Sequence, residues 1–351
     1  MSLNALISHI QPLDQEAIAA AKARQAVLTK PAGSLGRLEE LSIQVAGVTG
    51  EALPQVNQKV VTVMAGDHGV VAEGVSAFPQ AVTPQMVMNF LYNGAAINVL
   101  AKQAGARVVI VDMGVAVPME AHPNLIDKKV APGTANMAQG PAMSREQAEQ
   151  AILAGASVVE AEIANGLDLL ATGDMGIGNT TPSAAIAAVF TGADPAIIVG
   201  RGTGVDDEGM ARKVTAVKKA IAINQPNKED GLDVLSKVGG FEIGGLAGAI
   251  LAAAANHKPV VVDGFISTAA AMIAVALCPT VRDYLIAGHC SEEQGHGLML
   301  KSLGLEPLLD LNLRLGEGTG AVLAMNLVEA GCRTLCEMAT FGEAGVSEKS
   351  E

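Results

Sequence analysis

The sequence predicts an α/β fold, a parallel sheet of six strands with helices on both faces. Three observations carry this. Short β-branched runs alternate with stretches of helical period. The runs are apolar throughout, as in strands buried on both faces. Each run ends in glycine or a small polar residue, where the chain has to turn. With 351 residues, half of them hydrophobic, the chain can bury a large core. Only 2% are aromatic and there is no Trp, so that core is Ala, Val, Ile, Leu and Met, small enough for helices to approach a sheet closely.

The strands expected are Lys59–Ala65, Arg107–Asp112, Leu167–Thr172, Ala196–Gly200, Pro259–Asp263 and Tyr284–Ala287, with helical period over Gln85–Ala104, Ser144–Asn165, Asp207–Asn224 and Gly244–Asn256. Before them, Gln15–Leu28 reads as a helix, Pro31-Ala32-Gly33 as a break, and Ser34 as the cap of a second helix with Arg37 in its first turn. Ala321–Thr340 is amphipathic and helical, and Glu343–Glu351 reads as a polar, frayed end. Residues 56–319 are therefore expected to form the α/β domain. The terminal segments 1–55 and 320–351 are expected to pack partly as a small helical domain.

A net charge of −13 argues against a nucleic-acid partner, which needs clustered Lys and Arg. An anionic ligand would rely on backbone amides or a single lysine. The N-terminal 16 residues show no basic stretch followed by an apolar run, so no secretory signal is expected and the chain reads as cytoplasmic. The most apolar segments, Leu246–Ala255 and Ala269–Cys278, are far shorter than the roughly 20 residues of a membrane helix. Cysteines at 278, 290, 332 and 336 have no zinc-site spacing and read as free thiols.

In a parallel sheet, ligands sit beyond the carboxyl ends of the strands, and there the chain carries Gly66-Asp67-His68-Gly69, Met113-Gly114, Gly173-Asp174-Met175-Gly176, Arg201-Gly202-Thr203-Gly204, Gly264-Phe265-Ile266-Ser267 and Gly288-His289-Cys290-Ser291. No phosphate-loop motif occurs. Gly200-Arg201-Gly202-Thr203-Gly204 lacks the third glycine and acidic partner of a dinucleotide fingerprint, which weighs against a nicotinamide-dependent dehydrogenase. Taken together, these turns could form a nest of N–H groups around a phosphate; taken singly, each is an ordinary strand-to-helix turn. Arg314-Leu315-Gly316-Glu317-Gly318-Thr319-Gly320 places a carboxylate between glycines just before a helix. Glu317 either complements that helix's N-terminus or, in a partly dry pocket, serves as a general base of raised pKa. Asp67 and His68 suggest an acid/base pair, although neighbours in a chain usually point apart. Lys213 either pairs with Asp206, Asp207 and Glu208 or binds a phosphate. His289 and His296 have no third ligand at a recognisable spacing, and no metal is assigned to them.

These motifs, in order, resemble the nicotinate-nucleotide:dimethylbenzimidazole phosphoribosyltransferases of cobamide nucleotide-loop assembly. The resemblance rests on Lys30–Glu39, Ala65–Val70, Gly176–Pro182, Ala222–Pro226, Ser236–Phe241 and Arg314–Gly320, and it spans nearly the whole chain. It implies a Rossmann-like six-stranded parallel sheet, a small helical domain from both termini, and a homodimer. It implies Glu317 as catalytic base, flanked by Gly316 and Gly318, with Phe78, Gln85, Met86, Met175 and Leu315 around the acceptor base and Asp174 at the substrate cavity. Ribose-phosphate contacts would fall to Gly176, Gly178, Asn179, Thr180, Gly202, Gly204, Lys213, Gly264 and Ser291. The implied substrates are nicotinate mononucleotide and a benzimidazole or phenolic base, with no cofactor and no metal. Two positions depart from the family pattern: Asp174 stands where Glu is usual, and Ala32 where Pro is common. A second reading is one subunit of a heterodimeric relative that activates phenol or p-cresol, including a weakly active partner subunit. The intact Glu317 loop favours the first.

Overall fold

The computed structural model describes residues 2–202 and 204–347. Strands β1 (Lys59–Gly66), β2 (Ala106–Gly114), β3 (Leu125–Asp127), β4 (Leu169–Met175), β5 (Val260–Val262) and β6 (Leu285–Ala287) form one parallel sheet in the order β3-β2-β1-β4-β5-β6. The order reverses between β1 and β4, which leaves a crevice at their carboxyl ends.

All eight residues of β1 are buried. Val60 and Met64 pack into the core on one face, and Val61, Val63 and Ala65 into the core on the other, as the two-residue period of a strand requires. The first face is covered by helices Arg145–Ala164 and Phe241–Ala255. Their crossing depends on small residues: a methyl on Gly248 would collide with the Ile152 carbonyl, and one on Gly155 with that of Gly245. The second face is covered by helices Val82–Leu91, Ala96–Ala104 and Thr319–Glu337. Helices Gln15–Val27 and Arg37–Thr49 meet the last of these through Ala21, Ala46 and Leu335, and Leu28 bridges to Thr340.

Several expectations need correction. Ala196–Gly200 is not a strand: Asp194 accepts the Ala196 N–H at 2.8 Å and Pro195 opens a one-turn helix, Pro195–Ile198. The sixth strand is Leu125–Asp127, a three-residue edge too short to show a period. Gln85–Ala104 is two helices, broken at Asn93, whose φ of 60° leaves the helical region, and Gly94. Ser34 does not cap the second N-terminal helix. Gly36 stands at that position with φ 52°, and the Glu39 carboxylate accepts the Leu35 N–H instead. Helices Gln15–Val27, Arg145–Ala164 and Asp207–Asn224 lie within a residue of expectation; Ser144 and Gln147 form a capping box for the second. Residues 348–351 of the expected frayed end, and Thr203, lie outside the described residues.

Among the described residues no helix is long and apolar enough to cross a membrane. Cys278 and Cys332 are buried free thiols and Cys290 and Cys336 half-buried ones.

Candidate active site

Beyond the strand ends a cleft of about 630 Å³ opens. Phe78 and Leu315 stand at its mouth, 51% and 57% exposed. Met86 and Met175 line the adjoining wall. Deeper in lie Asp174, Gly176, Asn179 and Thr180 from the end of β4, Gly202, Gly264 after β5, Ser291 after β6, and Gly316 and Glu317. Such an apolar mouth with a polar floor suits a flat, largely apolar group attached to a polar one.

Glu317 is 5% exposed and sits at φ +64°, between Gly316 at +84° and Gly318 at +89°. A left-handed non-glycine residue costs about 1–3 kcal/mol and persists only where its surroundings impose it. Here they do. The Glu317 N–H donates to the Asp174 carbonyl at 3.2 Å, and the Gly318 and Ala321 N–H groups donate to the Asp263 carboxylate at 3.1 and 2.9 Å. Asp263, at the end of β5, thus caps helix Thr319–Glu337 and holds the loop in one shape. A methyl on Gly173 would be 2.5 Å from the Glu317 carbonyl oxygen, so β4 and the loop are in direct contact.

Burial pushes the Glu317 carboxyl above its ordinary range; the Ile97 N–H, 3.3 Å from Oε2, draws it back, and the Asp263 charge adds to the rise. Asp174 is raised well above its ordinary value, chiefly by burial and then by Asp263, while the Asn179 amide donating at 2.9 Å opposes this. Asp263 is itself raised by burial. Burial, with the Asp263 charge acting on both Asp174 and Glu317, makes each of these acids bind a proton more tightly than it would in water.

Behind the far wall of the cleft lies a cation. The Lys213 ammonium donates to Thr180 Oγ1 at 2.9 Å and the Gly200 carbonyl at 2.8 Å, and burial lowers its pKa to about 8. It therefore does not pair with Asp206, Asp207 or Glu208. Asp206 instead caps helix Asp207–Asn224. Lys213 stands behind Thr180 and Gly202 rather than on the cleft surface; a methyl on Gly202 would be 2.9 Å from its Nζ. His296 links two further cleft residues. The Ser291 N–H donates to its Nδ1 at 2.9 Å, so Nε2 carries the proton and donates to Thr268 Oγ1 at 2.9 Å, and Thr268 donates to the Gly264 carbonyl at 2.7 Å. Burial, with His289 nearby, holds His296 neutral, its pKa pulled down to about 3.

Comparison with known proteins gives this arrangement a family. The family model described as "Phosphoribosyltransferase" matches residues 10–346. A Chloroflexus aggregans protein named nicotinate-nucleotide–dimethylbenzimidazole phosphoribosyltransferase is 59% identical over 349 residues, 99% of each chain. The chain belongs to this family. Two crystal structures from Thermus thermophilus resemble it closely. One, of the nicotinate-nucleotide-dimethylbenzimidazole phosphoribosyltransferase, has 50% identity and a TM-score of 0.91 over 96% of this chain and all of that one. The other, of CobT, has 51% identity and a TM-score of 0.92 over 95% and 100%.

Within this phosphoribosyltransferase, most residues named from sequence meet at the cleft, but five stand back from its surface. Lys213 is one. Gln85 is exposed on helix Val82–Leu91, beside Met86. Gly178, at φ +89°, turns the chain into helix Thr180–Thr191. Gly204 lies in the open loop before Asp206, and Gly318 turns its N–H to Asp263. Asp67 and His68 do not form an acid/base pair in the cleft: Asp67 accepts the Ala116 N–H at 2.8 Å, while His68 turns to Glu242. Sequence reasoning missed Asp263 and Glu293, although Asp263 directly follows an apolar run and precedes a glycine, as Asp174 does not, and it weighed His289 only as a metal ligand. Glu293 lines the cleft near Lys213, its carboxyl raised by burial against the pull of Lys213 and the Gly202 N–H. Among the described residues no group of His, Cys, Asp and Glu could hold a metal ion.

Proposed function

We propose that this cleft moves 5-phosphoribose from nicotinate mononucleotide to 5,6-dimethylbenzimidazole or a close analogue, releasing nicotinate and an α-ribazole-5′-phosphate type product for cobamide assembly. The observation that carries the reading is Glu317, a buried carboxylate of raised pKa on an imposed backbone, facing a cleft with an apolar mouth and a lysine behind the wall formed by Thr180 and Gly202.

In this reading the acceptor base lies between Phe78, Met86, Met175 and Leu315. Lys213, the turn Gly176–Thr180, Gly202, Gly204, Gly264 and Ser291 hold the ribose phosphate. Glu317 takes the N–H proton of the benzimidazole while the other ring nitrogen attacks the anomeric carbon. The bond to the pyridinium nitrogen breaks, its electron pair leaves with nicotinate, and the configuration inverts. A pyridinium is already a good leaving group, so the protein need mainly align the pair and remove one proton. Asp174, its pKa raised by burial, can in its protonated form donate a hydrogen bond to a substrate oxygen or nitrogen.

The same proposal takes residues 56–319 as the catalytic domain and 1–55 with 320–351 as helical segments that partly form a small domain. It also takes the enzyme to be a cytoplasmic homodimer. The phenol- or p-cresol-activating alternative draws no support from the relatives. The test is a product assay with nicotinate mononucleotide and either 5,6-dimethylbenzimidazole or phenol, comparing the wild type with Glu317→Ala. Release of nicotinate by the wild type, lost in the variant, is expected. A folded wild type inert with both acceptors overturns the self-sufficient enzyme.

A further inference from the structure

Two of the sequence motifs, Ala65–Val70 and Ser236–Phe241, contribute no side chain to the cleft, yet the fold brings their ends together behind its floor. His68 Nε2 lies 2.9 Å from Glu242 Oε1, with the side chains 1% and 0% exposed. Among the described residues none of His68 Nδ1 and Nε2 or Glu242 Oε1 and Oε2 meets a hydrogen-bond partner in good geometry, so each of these two side chains has the other as its one close polar neighbour of opposite kind. Burial opposes a charged imidazole here, but the Glu242 carboxylate, with Asp67 behind it, outweighs burial and raises the pKa of His68. The contact is a buried histidine–carboxylate pair.

Three glycines close around it. A methyl on Gly240 would sit 2.5 Å from His68 Cε1 and 2.6 Å from Glu242 Oε2, and one on Gly66 would be 2.8 Å from the same oxygen. A methyl on Gly176 would run into the Gly66 carbonyl and come 3.3 Å from His68 Nε2. Gly176 is part of the cleft wall. It follows Asp174 and Met175, and its carbonyl accepts the Asn179 N–H at 3.1 Å to start the turn into helix Thr180–Thr191. The pair therefore presses on the back of the turn whose front faces the substrates. A buried ion pair loses hydration that apolar packing of equal volume would not, so stability alone does not account for it.

We propose that His68 is a positioning residue for the transfer: its pairing with Glu242 sets the height of the Gly176 turn, and so where Asp174, Met175 and Asn179 meet the substrates. This rests on the reading of the cleft as the transfer site. The test compares the wild type with His68→Gln, Glu242→Gln and the double variant, each shown folded by circular dichroism and assayed well below its Tm. Each single variant is expected to raise KM for nicotinate mononucleotide about tenfold or more, because small misplacements of binding groups are costly. The double variant, whose two amides can hydrogen-bond, is expected to recover part of the loss. A purely structural pair would lower Tm and leave KM and kcat unchanged, which overturns the proposal. Should the variants fail to fold, the histidine 15N resonances of the wild type decide: nicotinate mononucleotide must shift the His68 ring signals and leave those of exposed His9 and His257 in place. An unmoved His68 signal overturns the proposal. A wild type that releases no nicotinate ends the cleft reading as well, whereas an active wild type with unaffected variants ends this proposal only.

Discussion

The acids at the ends of β4 and β5 and the acid behind β1 are all buried, yet they are stabilised in opposite ways. Asp174, Asp263 and Glu317 sit beside one another, are satisfied by backbone and amide N–H donors, and are all raised in pKa by burial. Glu242 faces the His68 imidazole at 2.9 Å, a partner whose pKa it raises. Like charges crowded in a cleft create groups whose protons move easily. An imidazole and a carboxylate sealed behind it fix geometry. Within three neighbouring strand ends, the first arrangement supplies chemistry and the second supplies shape.

The sharpest way to break this contrast is Glu317→Gln. It removes the proton acceptor and keeps the volume, so kcat should fall roughly 10²–10⁴-fold, with Tm unchanged or higher because a buried carboxyl is gone; a product assay and a thermal melt read both. The converse change, Glu242→Ala, removes the partner of a buried imidazole and leaves a void, and should cost about 3–5 kcal/mol of stability in denaturant unfolding. If Glu242→Ala were as stable as the wild type, the pair would not hold the strand ends together.

Asp263→Asn tests whether the cleft acids also fix geometry. It weakens the acceptor that holds Gly318 and Ala321, and kcat/KM should fall about 10- to 100-fold from misplacement of Glu317. The pH profile sharpens the chemistry. Glu317 must be ionised to accept a proton and its pKa is raised, so activity is lost as pH falls through a limb above the ordinary glutamate range. Lys213 must be charged to hold a phosphate and its pKa is lowered to about 8, so kcat/KM for nicotinate mononucleotide is lost as pH rises past that value. Lys213→Met should raise KM and erase the alkaline limb. The smallest effect is expected from Asp174→Glu, which adds one methylene without changing charge type. A few-fold shift in preference between benzimidazole and phenol is the expected readout.

The strand-end loops were legible because each follows an apolar run, and five of the six strands were found that way. The sixth went to Ala196–Gly200 because an apolar run of that length reads alike as strand or helix, while Asp194-Pro195 signalled a helix start. β3 was illegible because it pairs only with β2 at the sheet edge, through three residues, and is not fully buried. Glu317 was visible through its flanking glycines. Asp263 was not, because its role is to accept N–H groups from a segment more than fifty residues further along the chain.

By itself the sequence determined the α/β alternation, an aromatic-poor core of small residues and a carboxylate between glycines on a tight loop, since each follows from local period, side-chain size or the turning freedom of glycine. Tertiary structure alone decided that Lys213 abandons its three acidic neighbours for Thr180, that Asp263 clamps the Glu317 loop, and that His68 finds Glu242 rather than the cleft. Burial and partner choice depend on which strand ends are brought together by a parallel sheet whose order reverses between β1 and β4, and no local pattern encodes that meeting.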